Sequence, residues 1–144
     1  MQASRKLMAT YTVLLELAYR GGTDPRRLRD LLEANNLSPR YLEPVVQALV
    51  KEGILVSHRG PKGGYALAKS RQEVNLGQVA RLVAGVDREV DEQESDLFGV
   101  VKGIVQEAEV KAMVYLDGLT LQDLCNLAYR SGIHNPWAMG DTPI

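Results

Sequence analysis

Residues 59–69, RGPKGGYALAK, limit the fold more than any other stretch of this chain. Three glycines and a proline within five positions cannot continue a helix. The Tyr65-Ala66-Leu67-Ala68 run that follows alternates like a strand. Such a loop either cradles a phosphate or turns a hairpin. A phosphate cradle needs a strand, a glycine turn and then a helix whose N-terminus faces the anion. The alternation after the glycines and the missing Lys-Ser/Thr pair argue against it. A hairpin tip accounts for each residue: Gly60, Gly63 and Gly64 permit unusual backbone angles and close approach, and Pro61 stiffens the turn. Arg59 and Lys62 can reach phosphates or a narrow minor groove. Residues 54–57, ILVS, and 65–68, YALA, are then the paired strands.

Three helices are expected ahead of the hairpin. Leu7, Tyr11, Leu14, Leu15 and Ala18 recur at helical spacing until Gly21-Gly22. Asp24 as N-cap, with Pro25 at the first helical position, starts a second helix through Leu28, Leu31 and Leu32. Ser38 caps a third, followed by Pro39, with Leu42, Val45, Val46, Leu49 and Val50 on its apolar side and Gly53 ending it. Three helices and a hairpin within about 70 residues read as a winged helix-turn-helix, with the glycine loop as the wing tip.

The remainder is helical. Asn75 is expected to cap LGQVARLVAG, residues 76–85, and an acidic stretch, VDREVDEQESD, follows at 86–96. A longer helix from about Leu97 to Leu116 puts Val101, Ile104, Val105, Ala108, Ala112 and Tyr115 on one stripe. Thr120 caps a last helix, and the tail IHNPWAMGDTPI is rich in breakers. The fold class is thus mainly α with a small β-hairpin. A winged helix-turn-helix at 1–74 is followed at 75–131 by a linker helix, an acidic loop, a long dimerisation helix and a C-terminal helix. An irregular tail fills 132–144.

Charge divides the same way. Residues 1–75 carry 12 Lys and Arg against 7 Asp and Glu, whereas residues 76–144 carry 5 against 11. A basic half joined to an acidic half fits one part meeting a polyanion, although many basic surfaces are merely solvated. No apolar run approaches the roughly 20 residues that cross a bilayer. The cationic, apolar N-terminus is interrupted by Glu16 and patterned as a helix, so it reads as the first helix of a cytoplasmic protein rather than a signal peptide. Cys125 is the sole cysteine, which excludes an intramolecular disulfide and any multi-cysteine metal site. His58 and His134 lack partners at metal-ligand spacing, and no nucleophile–histidine or paired-carboxylate arrangement supports an enzyme.

The third helix gives the wing a purpose. Ser38, Arg40 and Tyr41 fall in its first turn, where free backbone N–H groups suit a phosphate. Glu43 and Gln47 lie one turn apart and can reach base edges, since a carboxylate accepts from cytosine and glutamine pairs with adenine. Taken singly, Ser38 serves equally as a cap and Tyr41 as a packing residue. Arg26, at the entry to the second helix, adds a further cation.

Together, SPRYLE at 38–43 and RGPKGGYALAK, beginning 16 positions after Glu43, resemble the IscR/NsrR/CymR (Rrf-two) family of bacterial repressors. The matching positions are Ser38, Tyr41, Leu42, Glu43, Arg59, Gly60, Gly63, Gly64, Tyr65, Leu67 and Ala68. VNLGQVARLVAG and LDGLTLQDLCNLA resemble the family's later helices, so the likeness spans residues 1 to about 128. It implies a homodimer joined through the long helix and bound to a palindromic operator in double-stranded DNA. It also implies recognition helices in the major groove, wings toward the minor groove, and N-terminal phosphate contacts at Arg5 and Lys6. Two departures matter. Pro44 stands where the family usually has glutamine, which implies a kinked third helix or one that begins after Ser38. The region that holds about three cluster-binding cysteines in iron–sulfur members here reads VDREVDEQESDLFGVV and has none, so no cofactor is expected.

The resulting expectation is a sequence-specific DNA-binding regulator, a repressor, acting as a homodimer. The alternative is a regulator whose second half docks to a metabolic enzyme or a small effector through the acidic segment 87–96.

Overall fold

The computed structural model describes residues 2–38, 42–86 and 94–135, with side chains from Arg5 onward. Its order is α1 (Gln2–Tyr19), α2 (Leu28–Ala34), α3 (Leu42–Lys51), β1 (Leu55–His58), β2 (Gly64–Leu67), α4 (Leu76–Val86), α5 (Asp96–Asp117) and α6 (Leu121–Arg130). Arg40 and Tyr41 lie outside the described residues, as do most of the acidic segment and the end of the tail.

The apolar periodicity of α1 puts Val13, Leu14 and Leu17 into the core, and α1 packs on α2, α3, α4, α6 and β2. Leu31 and Leu32 of α2 and Leu42, Val45, Val46 and Leu49 of α3 meet them there. That core continues through Ile54 and Leu55 to Val74, Val79 and Val83, and Leu121 closes it. A smaller cluster of Tyr19, Cys125 and Ala128 joins α1 to α6. The described start of the tail is pinned to α1, since the Tyr19 hydroxyl donates to the Ile133 carbonyl (2.8 Å).

The β-hairpin is antiparallel, pairing Leu55 with Leu67 and His58 with Gly64. Each strand is shifted by one residue from its expected span, and the Ala68 N–H donates to the Ile54 carbonyl just beyond the ladder (2.9 Å). A third segment joins it. Arg26 bridges to Tyr65 by reciprocal backbone bonds of 2.8 and 2.7 Å. This corrects the expected second helix. Arg26 is drawn onto the sheet, so Asp24 does not cap α2. The helix begins at Leu28 behind Arg27, which caps with no side-chain bond.

Other local expectations match the structure. Asn75 caps α4, its Oδ1 accepting from the Gln78 N–H (2.9 Å). Asp123 of α6 accepts from the Thr120 N–H (2.8 Å), the returning half of a capping box. Ser95, which the sequence reading left inside the acidic stretch, starts α5 by accepting from the Phe98 N–H (3.1 Å). Pro44 lies in α3 two positions after its first described residue, Leu42, and the Arg40 carbonyl four positions before it lies outside the described residues.

A candidate nucleic-acid interface

The helix α3 presents two faces. Leu42, Val45, Val46 and Leu49 are buried, while Glu43 and Gln47 are exposed one turn apart on the opposite side. Burial of one face therefore fixes the direction in which the other points. Glu43 and Gln47 are thus held by a packed helix rather than by a loop.

The wing tip is built on two tight points. Gly60 has φ +104° at the turn, and the Gly63 N–H closes it onto the Gly60 carbonyl (2.9 Å). Gly64 has φ +141°, and a Cβ there would strike the Arg26 backbone, so only glycine lets the third segment pair with the wing. Arg59, Gly60, Pro61 and Lys62 are exposed at the tip, whereas Gly63 is buried beneath it.

Cations gather beside that tip. Arg26, Arg27 and Lys62 line one cleft with Asp24, Asp30 and the Pro61–Gly63 turn. They are not equivalent. The Arg26 guanidinium leans inward to the buried Glu16 carboxylate (3.6 Å), which also meets Arg20 at 3.4 Å. Arg27 donates to the Pro61 carbonyl (3.0 Å) and so ties the tip to the start of α2. Sequence reasoning missed Arg27. Its partner lies 34 residues away, and only the fold brings the two together. Of the remaining expected contacts, Arg5 and Ser38 are exposed and Lys6 is half-buried; Arg40 and Tyr41 are not described.

Two phenols and one thiol have shifted acidities. Burial pushes Tyr11 up to about 12. Tyr19 is also raised, first by burial and then by its neighbours Cys125 and Tyr129. Burial pushes the Cys125 thiol up, against the opposing charge and hydrogen bond of Arg71, whose Nη1 is 3.9 Å from Sγ. This thiol is a packing group in the α1–α6 cluster, with none of its surface exposed.

Residues 3–127 match the family model Rrf2, described as an iron-dependent transcriptional regulator. The chain belongs to the Rrf2 family of transcriptional regulators. It is 31% identical over 132 residues to the HTH-type transcriptional regulator CymR of Bacillus subtilis, covering 88% of this chain and 91% of that one. To IscR of Klebsiella pneumoniae it is 29% identical over 134 residues, covering 88% and 80%. Crystalline CymR of Staphylococcus aureus, in its oxidized form, is similar with a TM-score of 0.60 at 33% identity, over 84% of this chain and 93% of that one.

As a member of the Rrf2 family, this protein is a DNA-binding transcriptional regulator and not an enzyme. The iron in the family's description does not fit the residues present. Iron–sulfur clusters are held by thiolates, and the one cysteine of this chain is sealed between α1 and α6 with a raised thiol pKa. Among the described residues, no three His, Cys, Asp or Glu side chains are grouped to hold a metal ion. No described helix is long and apolar enough to cross a membrane.

Proposed function

We propose that this regulator is a cytoplasmic repressor that binds a palindromic operator as a homodimer. The carrying observation is the state of α5. Its 22 residues bury no side chain, yet Leu97, Val101, Ile104 and Tyr115 are 80%, 56%, 64% and 73% exposed on one side. Val105, Ala108 and Ala112 continue that stripe. A contiguous apolar stripe on a helix calls for a partner surface, and the same stripe on a second copy supplies one by twofold symmetry.

In this reading each protomer offers α3 to one major groove, with Glu43 and Gln47 toward base edges. The wing lies along the backbone, Arg59 and Lys62 meet phosphates, and Gly60, Pro61, Gly63 and Gly64 set how closely the tip approaches. Arg5, Lys6, Ser38, Arg40 and Tyr41 add backbone contacts, and Arg26 acts mainly by holding the wing base. Residues 1–74 then serve as the DNA-reading part and residues 75–131 as the part that pairs protomers.

Selection of bound sequences from random DNA tests the reading, joined to sedimentation of the complex. The expected product is an inverted repeat with half-sites about 34 Å apart, one turn of duplex, carrying two chains. Asymmetric sites carrying a single chain would overturn it.

A further inference from the structure

The exposed stripe of α5 says what that helix meets but not how its direction is set. That direction matters, because α5 is attached to the DNA-reading core chiefly along α4, which packs in turn on α3. The attachment is strongest at one end. The Asp117 carboxylate receives two N–H groups of Arg81, at 2.5 and 2.7 Å. The Asp117 carbonyl accepts from Asn75 Nδ2 (2.8 Å), and Asn75 is also the cap of α4. Just beyond, the Leu76 N–H donates to the Leu119 carbonyl (3.0 Å). Gly77 has no room for a side chain because the Asp117 carboxylate occupies the space of its Cβ. The N-terminus of α4 and the C-terminus of α5 are therefore clasped, whereas α5 buries none of its own residues along its length.

We infer that the Arg81–Asp117 pair determines which operator spacing the protein accepts, by fixing the angle between α5 and the unit that carries α3. This rests on the proposal that α5 pairs with its counterpart. Two planar groups joined by parallel hydrogen bonds resist rotation, which a single-point contact does not. A helix of 22 residues is a lever of about 33 Å at 1.5 Å per residue. Over that length a rotation of about 6° at the clasped end moves the far end by about 3.4 Å. That is close to the rise of one base pair. A loose clasp would let the two recognition helices reach spacings that a firm one refuses.

The test compares wild type with Arg81→Gln, Asp117→Asn and Arg81→Lys on the selected palindrome, on versions lengthened or shortened by one base pair, and on a single half-site. Wild type should lose about tenfold in affinity for each altered spacing, as a misplaced contact set typically costs. Arg81→Gln and Asp117→Asn should lose less than about threefold, with Arg81→Lys between them because it keeps charge but not the paired geometry. Half-site affinity and sedimentation should match wild type. An unchanged spacing profile in both neutral variants, with the dimer intact, would overturn the role of the pair. Equal loss on every DNA, the half-site included, would do the same by showing a general structural support. Wild-type protein sedimenting as a monomer would overturn the dimer reading on which the inference stands.

Discussion

The Tyr11 hydroxyl donates to the Leu76 carbonyl oxygen at 2.6 Å, joining the first helix to the start of α4 across 65 positions of sequence. The bond sits where α4 is also capped by Asn75, so it fixes the end of α4 to which α5 is clasped. Tyr11→Phe keeps the ring and leaves the carbonyl short of a donor. The expected cost is about 1–3 kcal/mol, read as a lower urea midpoint at unchanged slope. The acidity of the phenol gives a second readout. Burial raises its pKa from 10.0 to about 12, so the fold favours the neutral form. That contribution is complete below pH 10 and is lost as pH rises through 12. Tyr11→Phe should therefore unfold with a weaker pH dependence over that window than wild type.

Arg27 acts on the wing without belonging to it. Its bond to the Pro61 carbonyl holds the tip against the start of α2. Arg27→Ala should release the tip and weaken binding to every DNA several-fold, with stability changed by less than about 0.5 kcal/mol because the side chain is exposed. Titrations at several salt concentrations check the mechanism. The dependence on salt should be unchanged, whereas a fall in the slope by about one would show that Arg27 itself neutralises a phosphate.

The contrast between Asn75 and Asp24 explains what was legible in the sequence. Both are good capping residues ahead of an apolar run, but only Asn75 caps. Asp24 fails because Arg26, two residues later, is captured by Tyr65 on the wing, a pairing between distant segments that local propensity cannot see. The helices of the core were readable because burial imposes a 3.6-residue period on each of them. Arg27–Pro61 and Arg81–Asp117 were not, being separated by 34 and 36 residues. Their partners are chosen by how packed elements happen to face one another. For the same reason Glu43, Gln47 and Lys62 could be singled out early, since each needs only its own element to face outward.

Cys125 should behave as core rather than as a sensor. It has no exposed surface, and burial raises its thiol pKa, which lowers the reactive thiolate fraction. Alkylation in native buffer should be slower than in urea by on the order of a hundredfold or more, set by opening of the α1–α6 cluster. Mass spectrometry over time checks this. Rapid native alkylation would show that the thiol is reached without opening the core.

Lys62 and Glu43 should fail in different ways. Lys62 sits on the exposed wing tip, a cation suited to a phosphate oxygen that carries no base information. Lys62→Ala should weaken binding to all sequences alike and reduce the salt slope by about one. Glu43 is exposed on α3 with its neighbours Leu42, Val45 and Val46 locked in the core, so its carboxylate is aimed by packing. Glu43→Ala should instead relax one base position by about 1–3 kcal/mol of discrimination while leaving the salt slope near wild type. A randomised operator library, bound by both variants and counted by sequencing, separates the two effects. Equal losses across the whole library for both would mean that α3 does not read bases through Glu43.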